Sequence, residues 1–108
     1  MCIFCDIIKS ESKKLYEDND FVIINDISHK ANVHYLVIPK AHYANLSEQT
    51  EEQGLKLGIM LNKLPKILEE LGVSGGYRLI INQGENAGQT VHHLHVHVLG
   101  GEKLPEMP

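Results

Sequence analysis

Gly88-Gln89-Thr90-Val91-His92-His93-Leu94-His95-Val96-His97-Val98-Leu99-Gly100-Gly101 is the stretch on which the fold turns. It holds four of the chain's seven histidines. Val91, Leu94, Val96, Val98 and Leu99, bounded by glycines, read as a strand. Alternate side chains of a strand face opposite ways, so His93, His95 and His97 share one face. His92, Leu94, Val96 and Val98 share the other. Core packing accounts for the apolar face and leaves the imidazoles unexplained. A single histidine on a strand is ordinarily structural, but each ring brings two nitrogens that need partners. Same-face Cα atoms lie about 6.5–7 Å apart. Two chemistries fit that spacing: a shared metal ion, or two imidazoles acting in series on a phosphate.

Outward from this stretch the chain reads as one domain spanning residues 1–108, long enough for a modest core. The 43% apolar and 22% charged content is that of an ordinary globular protein. A net charge of −4 argues against nucleic acid as a partner. No apolar run reaches the ~20 residues of a membrane span, and no basic segment followed by an apolar one opens the chain. The expectation is a cytoplasmic protein that engages neither membrane nor nucleic acid.

Upstream, Tyr77–Ile81 reads as a strand, and residues 82–90 join it to the histidine stretch. Nine residues is long for a hairpin. Gly84, Gly88 and Thr90 give that connection backbone and hydroxyl donors suited to an anion. A phosphate gripped there would lie beside His95 and His97. Residues 46–71 carry the long helix. Thr50 with Gln53 fits a capping box, and Leu57, Met60, Leu64, Ile67, Leu68 and Leu71 recur at helical spacing. Pro65 is expected to kink or divide it. Val33–Ile38 is a strand ended by Pro39, with His34, Leu36 and Ile38 on one face. Phe21–Asn25 and Leu15–Glu17 read as further strands, and Phe4–Lys9 as a short helix.

Cys2 and Cys5 are the only cysteines. The Cys-x-x-Cys pair allows three readings. A disulfide sits poorly with a reducing compartment. A redox pair ordinarily follows a strand. Zinc requires two further ligands.

His93-Leu94-His95-Val96-His97-Val98-Leu99 resembles the signature of the histidine triad (HIT) family, His-φ-His-φ-His-φ-φ. The resemblance covers nearly the whole chain. It includes Ile3–Ile8, Asn25-Asp26-Ile27, the run from His34 to His42, Asn82, and Gly88-Gln89-Thr90-Val91. Leu99-Gly100-Gly101 resembles the Hint branch, the nucleoside phosphoramidase type. The resemblance implies an α+β fold: an antiparallel sheet of about five strands, one long helix and a short N-terminal helix, assembled as a homodimer. It implies hydrolysis at the α-phosphorus of purine nucleoside 5′-phosphoramidates through a nucleotidyl-histidine intermediate, with no organic cofactor. The alternatives are a dinucleoside polyphosphate hydrolase and a nucleotide-binding module with little turnover.

By the same resemblance His95 is the nucleophile, His97 contacts phosphate and leaving group, and His34 supports the triad. Asn82, Gly88 and Thr90 hold phosphate oxygens. Asp26 takes the ribose hydroxyls. Ile3, Phe4, Ile7, Ile24, Ile27 and Leu36 wall the base pocket. Cys2, Cys5, His42 and His93 match the ligands of a structural zinc in some relatives. Thr90 stands where the family has serine, which adds a methyl near the leaving group. A metal-dependent hydrolase using His95 and His97 as catalytic ligands is the competing reading.

Overall fold

A computed structural model describes residues 2–107. Helix α1 spans Ile3–Lys9 and α2 spans Glu51–Glu70. The strands are β1 (Tyr16–Glu17), β2 (Phe21–Asn25), β3 (Val33–Pro39), β4 (Tyr77–Ile80) and β5 (Val96–Gly100). They form one antiparallel sheet in the order β1-β2-β3-β5-β4. This is the expected α+β architecture. No helix among the described residues is long and apolar enough to cross a membrane.

The period-two pattern divides the sheet into two faces. Phe21, Ile23, Val37, Val96 and Val98 pack beneath α2, against its stripe of Leu57, Met60, Leu64, Ile67 and Leu68. Each such aliphatic group is worth about 1.5–3 kcal/mol when buried. Val22, Ile24, Leu36 and Ile38 face the other way and take Phe4 of α1 as partial cover. Because α1 is only seven residues long, it leaves much of this second face open, and the site lies there.

Local chemistry fixes the ends of α2. The Thr50 side chain accepts from the Gln53 amide, and the Gln53 side chain accepts from the Thr50 amide, closing the capping box. At the other end Gly72 adopts φ +88°, and the Val73 amide donates to Leu68 O at 2.9 Å. That left-handed closure suits glycine. Pro65 does not divide the helix. It lies on the exposed side, where solvent can satisfy the carbonyl its missing N–H leaves free, while Leu64, Ile67 and Leu68 anchor both flanks in the core. Residues 46–48 form a separate short 3₁₀ turn before the helix begins.

The histidine stretch departs most from expectation. The strand begins only at Val96; residues 91–93 form bends and residues 94–95 are irregular. Leu94 still joins the α2-side core, but His92 is exposed and belongs to neither face of the strand. The reason lies in the tether of this segment: the Leu94 amide donates to Tyr43 O at 2.8 Å, outside the ladder.

Candidate active site and metal centre

β5 is a central strand, and in its register His97 stands opposite Leu36 of β3 and Ile80 of β4. His34 stands opposite Leu99, so His34 and His97 are diagonal neighbours on the open face. A cleft of about 380 Å³ runs over this face. Ile3, Phe4, Ile7, Ile24, Asp26, Ile27, Leu36, Thr90, His95 and His97 all line it. Every residue expected around base and ribose is therefore in one hollow. Asn25, Ser28 and Val91 also line it, and sequence reasoning missed them. Ile27 is 95% exposed and Ile3 is 59% exposed, although both line the cleft.

Two expected phosphate residues stand apart. Asn82 lies in an adjoining hollow, which it shares with His97. Gly88 is exposed, with φ +85°, and closes the short turn Glu85–Ala87. Its N–H donates to Glu85 O at 2.9 Å, and the next amide, of Gln89, donates to Gly84 O at 3.1 Å. The loop therefore uses its glycine amide internally, and Thr90 is the expected phosphate residue that reaches the cleft wall.

Partners of known character fix the histidine tautomers. A carbonyl only accepts, so His95 Nδ1–H donates to His93 O at 2.8 Å. The lone pair of His95 is therefore on Nε2. Its ring packs edge-on to Phe4, centroids 5.0 Å apart. The Lys30 backbone N–H donates to His34 Nδ1 at 3.0 Å, so a neutral His34 carries its proton on Nε2. That proton faces His97 Nδ1 at 2.9 Å and Asp26 Oδ2 at 3.2 Å. His97 Nδ1 thus accepts, which leaves its own proton on Nε2. Burial is the main cause that lowers the pKa of both His34 and His97. For His34 the His29 and Lys30 charges add to it, against Asp26 and a Ser28 backbone contact; for His97 the neighbouring His95 and His34 add to it, against Asp26. Both rings are held neutral.

The result is one imidazole offering a lone pair and its neighbour offering an N–H, ring centroids 5.0 Å apart. That pair can attack a phosphorus and donate to a departing group. Asp26, held by the Ser28 amide at 2.8 Å on Oδ1, completes a relay behind His97. Asp26, His34 and His97 also place three potential ligand atoms close together. However, His34 Nε2 carries a proton there and has no lone pair for an ion. Among the described residues His95 joins no cluster of three or more potential metal ligands.

A second constellation fits a metal well. Cys2, Cys5, His42 and His93 converge beside α1. His93 is fully buried, and its Nε2–H donates to Pro39 O at 2.7 Å, which frees Nδ1 as a ligand. His93 Nδ1 lies 3.3 Å from Cys2 Sγ, 3.6 Å from Cys5 Sγ and 3.2 Å from His42 Nδ1. Cys5 Sγ lies 3.2 Å from His42 Nδ1. Zinc bond lengths place tetrahedral N···N edges at about 3.3 Å and S···N edges at about 3.5 Å. The donor set therefore suits zinc in both chemistry and spacing. Burial first, and then the neighbouring Cys2, push the Cys5 thiol up. A cation beside the Cys5 thiol would favour its thiolate.

The chain resembles known proteins along nearly its whole length. Residues 1–106 match the family model described as "Scavenger mRNA decapping enzyme C-term binding". Protein HitA of Neisseria gonorrhoeae is 40% identical over 92% of this chain and 94% of its own length. A solved HIT family hydrolase from Clostridium thermocellum is 45% identical, with a TM-score of 0.89 over 98% of this chain and 95% of that one. A Zn-bound histidine triad family protein from Mycobacterium smegmatis is 33% identical, with a TM-score of 0.75 over 96% of this chain and 79% of that one. Sequence and fold agree along almost the full length, and the chain belongs to the histidine triad family.

Proposed function

We propose that this protein hydrolyses purine nucleoside 5′-phosphoramidates at the α-phosphorus through a covalent nucleotide on His95, as a member of the Hint-like branch. The observation that carries this reading is the tautomer pair: a free lone pair on His95 Nε2 beside an N–H on His97 Nε2, at the floor of an apolar cleft. The flat base fits between Ile3 and Ile27, with Phe4, Ile7, Ile24 and Leu36 behind it. Asp26, on the cleft wall, accepts from the ribose hydroxyls. Thr90 and Asn82 flank the phosphate from two sides, and Gly88 shapes the loop that carries Thr90.

In the first step His95 Nε2 forms a bond to phosphorus as the P–N bond breaks. The bonding pair leaves with the amine nitrogen, which takes a solvent proton passed through His97 Nε2. In the second step water adds to phosphorus, its proton leaves through His97, and the pair of the His95–phosphorus bond returns to Nε2. The proton taken up in the first step is released in the second. Covalent catalysis thus divides one displacement into two easier ones. Neutral imidazole suits the task at physiological pH.

Cys2, Cys5, His42 and His93 would hold one zinc ion. With four protein ligands the ion has no open position, so its role is structural. The protein acts as a homodimer. β4 is an edge strand with Leu79 exposed, and α2 leaves Leu55 and Ile59 exposed. An uncovered strand edge beside apolar residues favours pairing with a second copy. Sedimentation equilibrium should give twice the 12.1 kDa chain mass; a monomer at micromolar concentration contradicts it.

The substrate test compares an adenosine phosphoramidate with a dinucleoside polyphosphate. The expected kcat/KM for the first exceeds that for the second by about a hundredfold or more, ~2.7 kcal/mol of transition-state discrimination. A preference for the polyphosphate overturns the Hint-like assignment. Stoichiometric nucleotide binding without turnover of either points instead to a binding module.

A further inference from the structure

A second hollow, of about 260 Å³, adjoins the cleft at His97. His97 and Asp26 line both, whereas His95 lines only the cleft. Displacement at phosphorus places the departing group roughly in line with the attacking atom and opposite to it. The hollow that His97 lines and His95 does not is the space open to such a group. Another recess opens beside Cys2 and His42, but His97 is not part of it. The walls of the hollow beside His97 include Ile80, Leu99, Asn82 and Ser28, none of them charged. Its two charged residues are Asp26 and Lys30. The Asp26 carboxylate is engaged on both oxygens, by the Ser28 amide and by His34. Lys30 is exposed and makes no ion pair among the described residues. Its charge is nevertheless felt at the buried His34.

We propose that this hollow is the leaving-group subsite, and that Lys30 makes it select amine leaving groups that carry an anionic substituent. The inference rests on the phosphoramidase reading above. An ammonium at the mouth of this hollow attracts an anion and disfavours a cation there. Two sources supply such an anion, a carboxylate as on an amino acid and a phosphate as on an aminoalkyl phosphate. The neutral imidazoles and the apolar walls offer no comparable attraction to a cationic amine substituent.

The test uses three adenosine 5′-phosphoramidates of similar size. Their amines are alanine, alaninamide and 2-aminoethyl phosphate. Wild-type protein is expected to favour the alanine compound over the alaninamide compound by about tenfold in kcat/KM. The phosphate-bearing amine shows which anion the subsite prefers. Lys30→Gln keeps the backbone N–H that holds His34, and should bring the alanine-to-alaninamide ratio close to one. Lys30→Glu should invert it. Equal rates for the neutral and both anionic amines in wild type overturn the inference while the phosphoramidase reading stands. A preference that survives in both Lys30 variants assigns the selectivity elsewhere and overturns it too. If none of the three compounds is turned over, the phosphoramidase reading fails and the subsite with it.

Discussion

Replacing His95 by alanine should lower turnover of an adenosine phosphoramidate by at least about a thousandfold, while the affinity for adenosine monophosphate stays within about threefold of wild type. Loss of a nucleophile removes a step rather than a contact, so the effect falls on kcat. Binding should persist because the cleft walls come from other elements: Ile3 and Phe4 from α1, Ile24 from β2, Leu36 from β3 and Ile27 from the connection that follows β2. The substitution also removes the edge contact with Phe4 and the hydrogen bond to His93 O. His95→Asn is the companion variant, since its side-chain amide can still donate to that carbonyl. Both variants should be inactive, with nucleotide affinity measured by calorimetry. Near-normal kcat in either one would mean that another group attacks.

The second large effect concerns the metal. Cys5→Ser should lower the thermal midpoint of zinc-loaded protein by about 10 °C. A ligand present at about a hundred times its Kd stabilises the folded state by about 2.7 kcal/mol, and for a chain of this size each kcal/mol moves the midpoint by ~4 °C. The loss should be smaller than in zinc fingers, because the sheet and α2 supply their own core. Binding requires both thiols to release protons, and burial already pushes the Cys5 thiol up, so zinc affinity should fall as pH falls. Elemental analysis of untagged protein should find one zinc per chain in wild type and much less in the variant. A reduced wild type that takes up no zinc, or a variant as stable as wild type, makes the two cysteines bystanders. Total loss of activity on chelation, with the fold intact, would revive the catalytic-metal reading.

The sequence announced the parts of this site that depend on local pattern. Period two put Val96 and Val98 under α2 and His97 on the other side, while Leu94 reaches the same core from outside the strand. The Thr50 and Gln53 capping box was legible because its partners are three residues apart. What stayed hidden depends on partners distant in sequence. The start of β5 is delayed by a bond from Leu94 to Tyr43, which no window of residues contains. The His93 tautomer follows from Pro39 O, and that of His34 from the Lys30 amide. Gly88 looked like a phosphate donor because glycine amides are accessible; the turn at Glu85 had already engaged its N–H. Pro65 looked like a break because its exposure was unknown. The metal quartet drew on two segments that only the fold brings to His93. The family pattern supplied those pairings where spacing did not.

The central claim is a covalent nucleotide on His95 Nε2. Its most direct measurement is rapid acid-free quenching of wild-type protein with an adenosine phosphoramidate, followed by mass analysis of the peptide that carries His93, His95 and His97. An adenylate mass should appear on His95, formed and lost at rates that match turnover and absent from His95→Asn. Turnover with no protein-bound nucleotide at any time, or a nucleotide on another residue that forms at the catalytic rate, would contradict it.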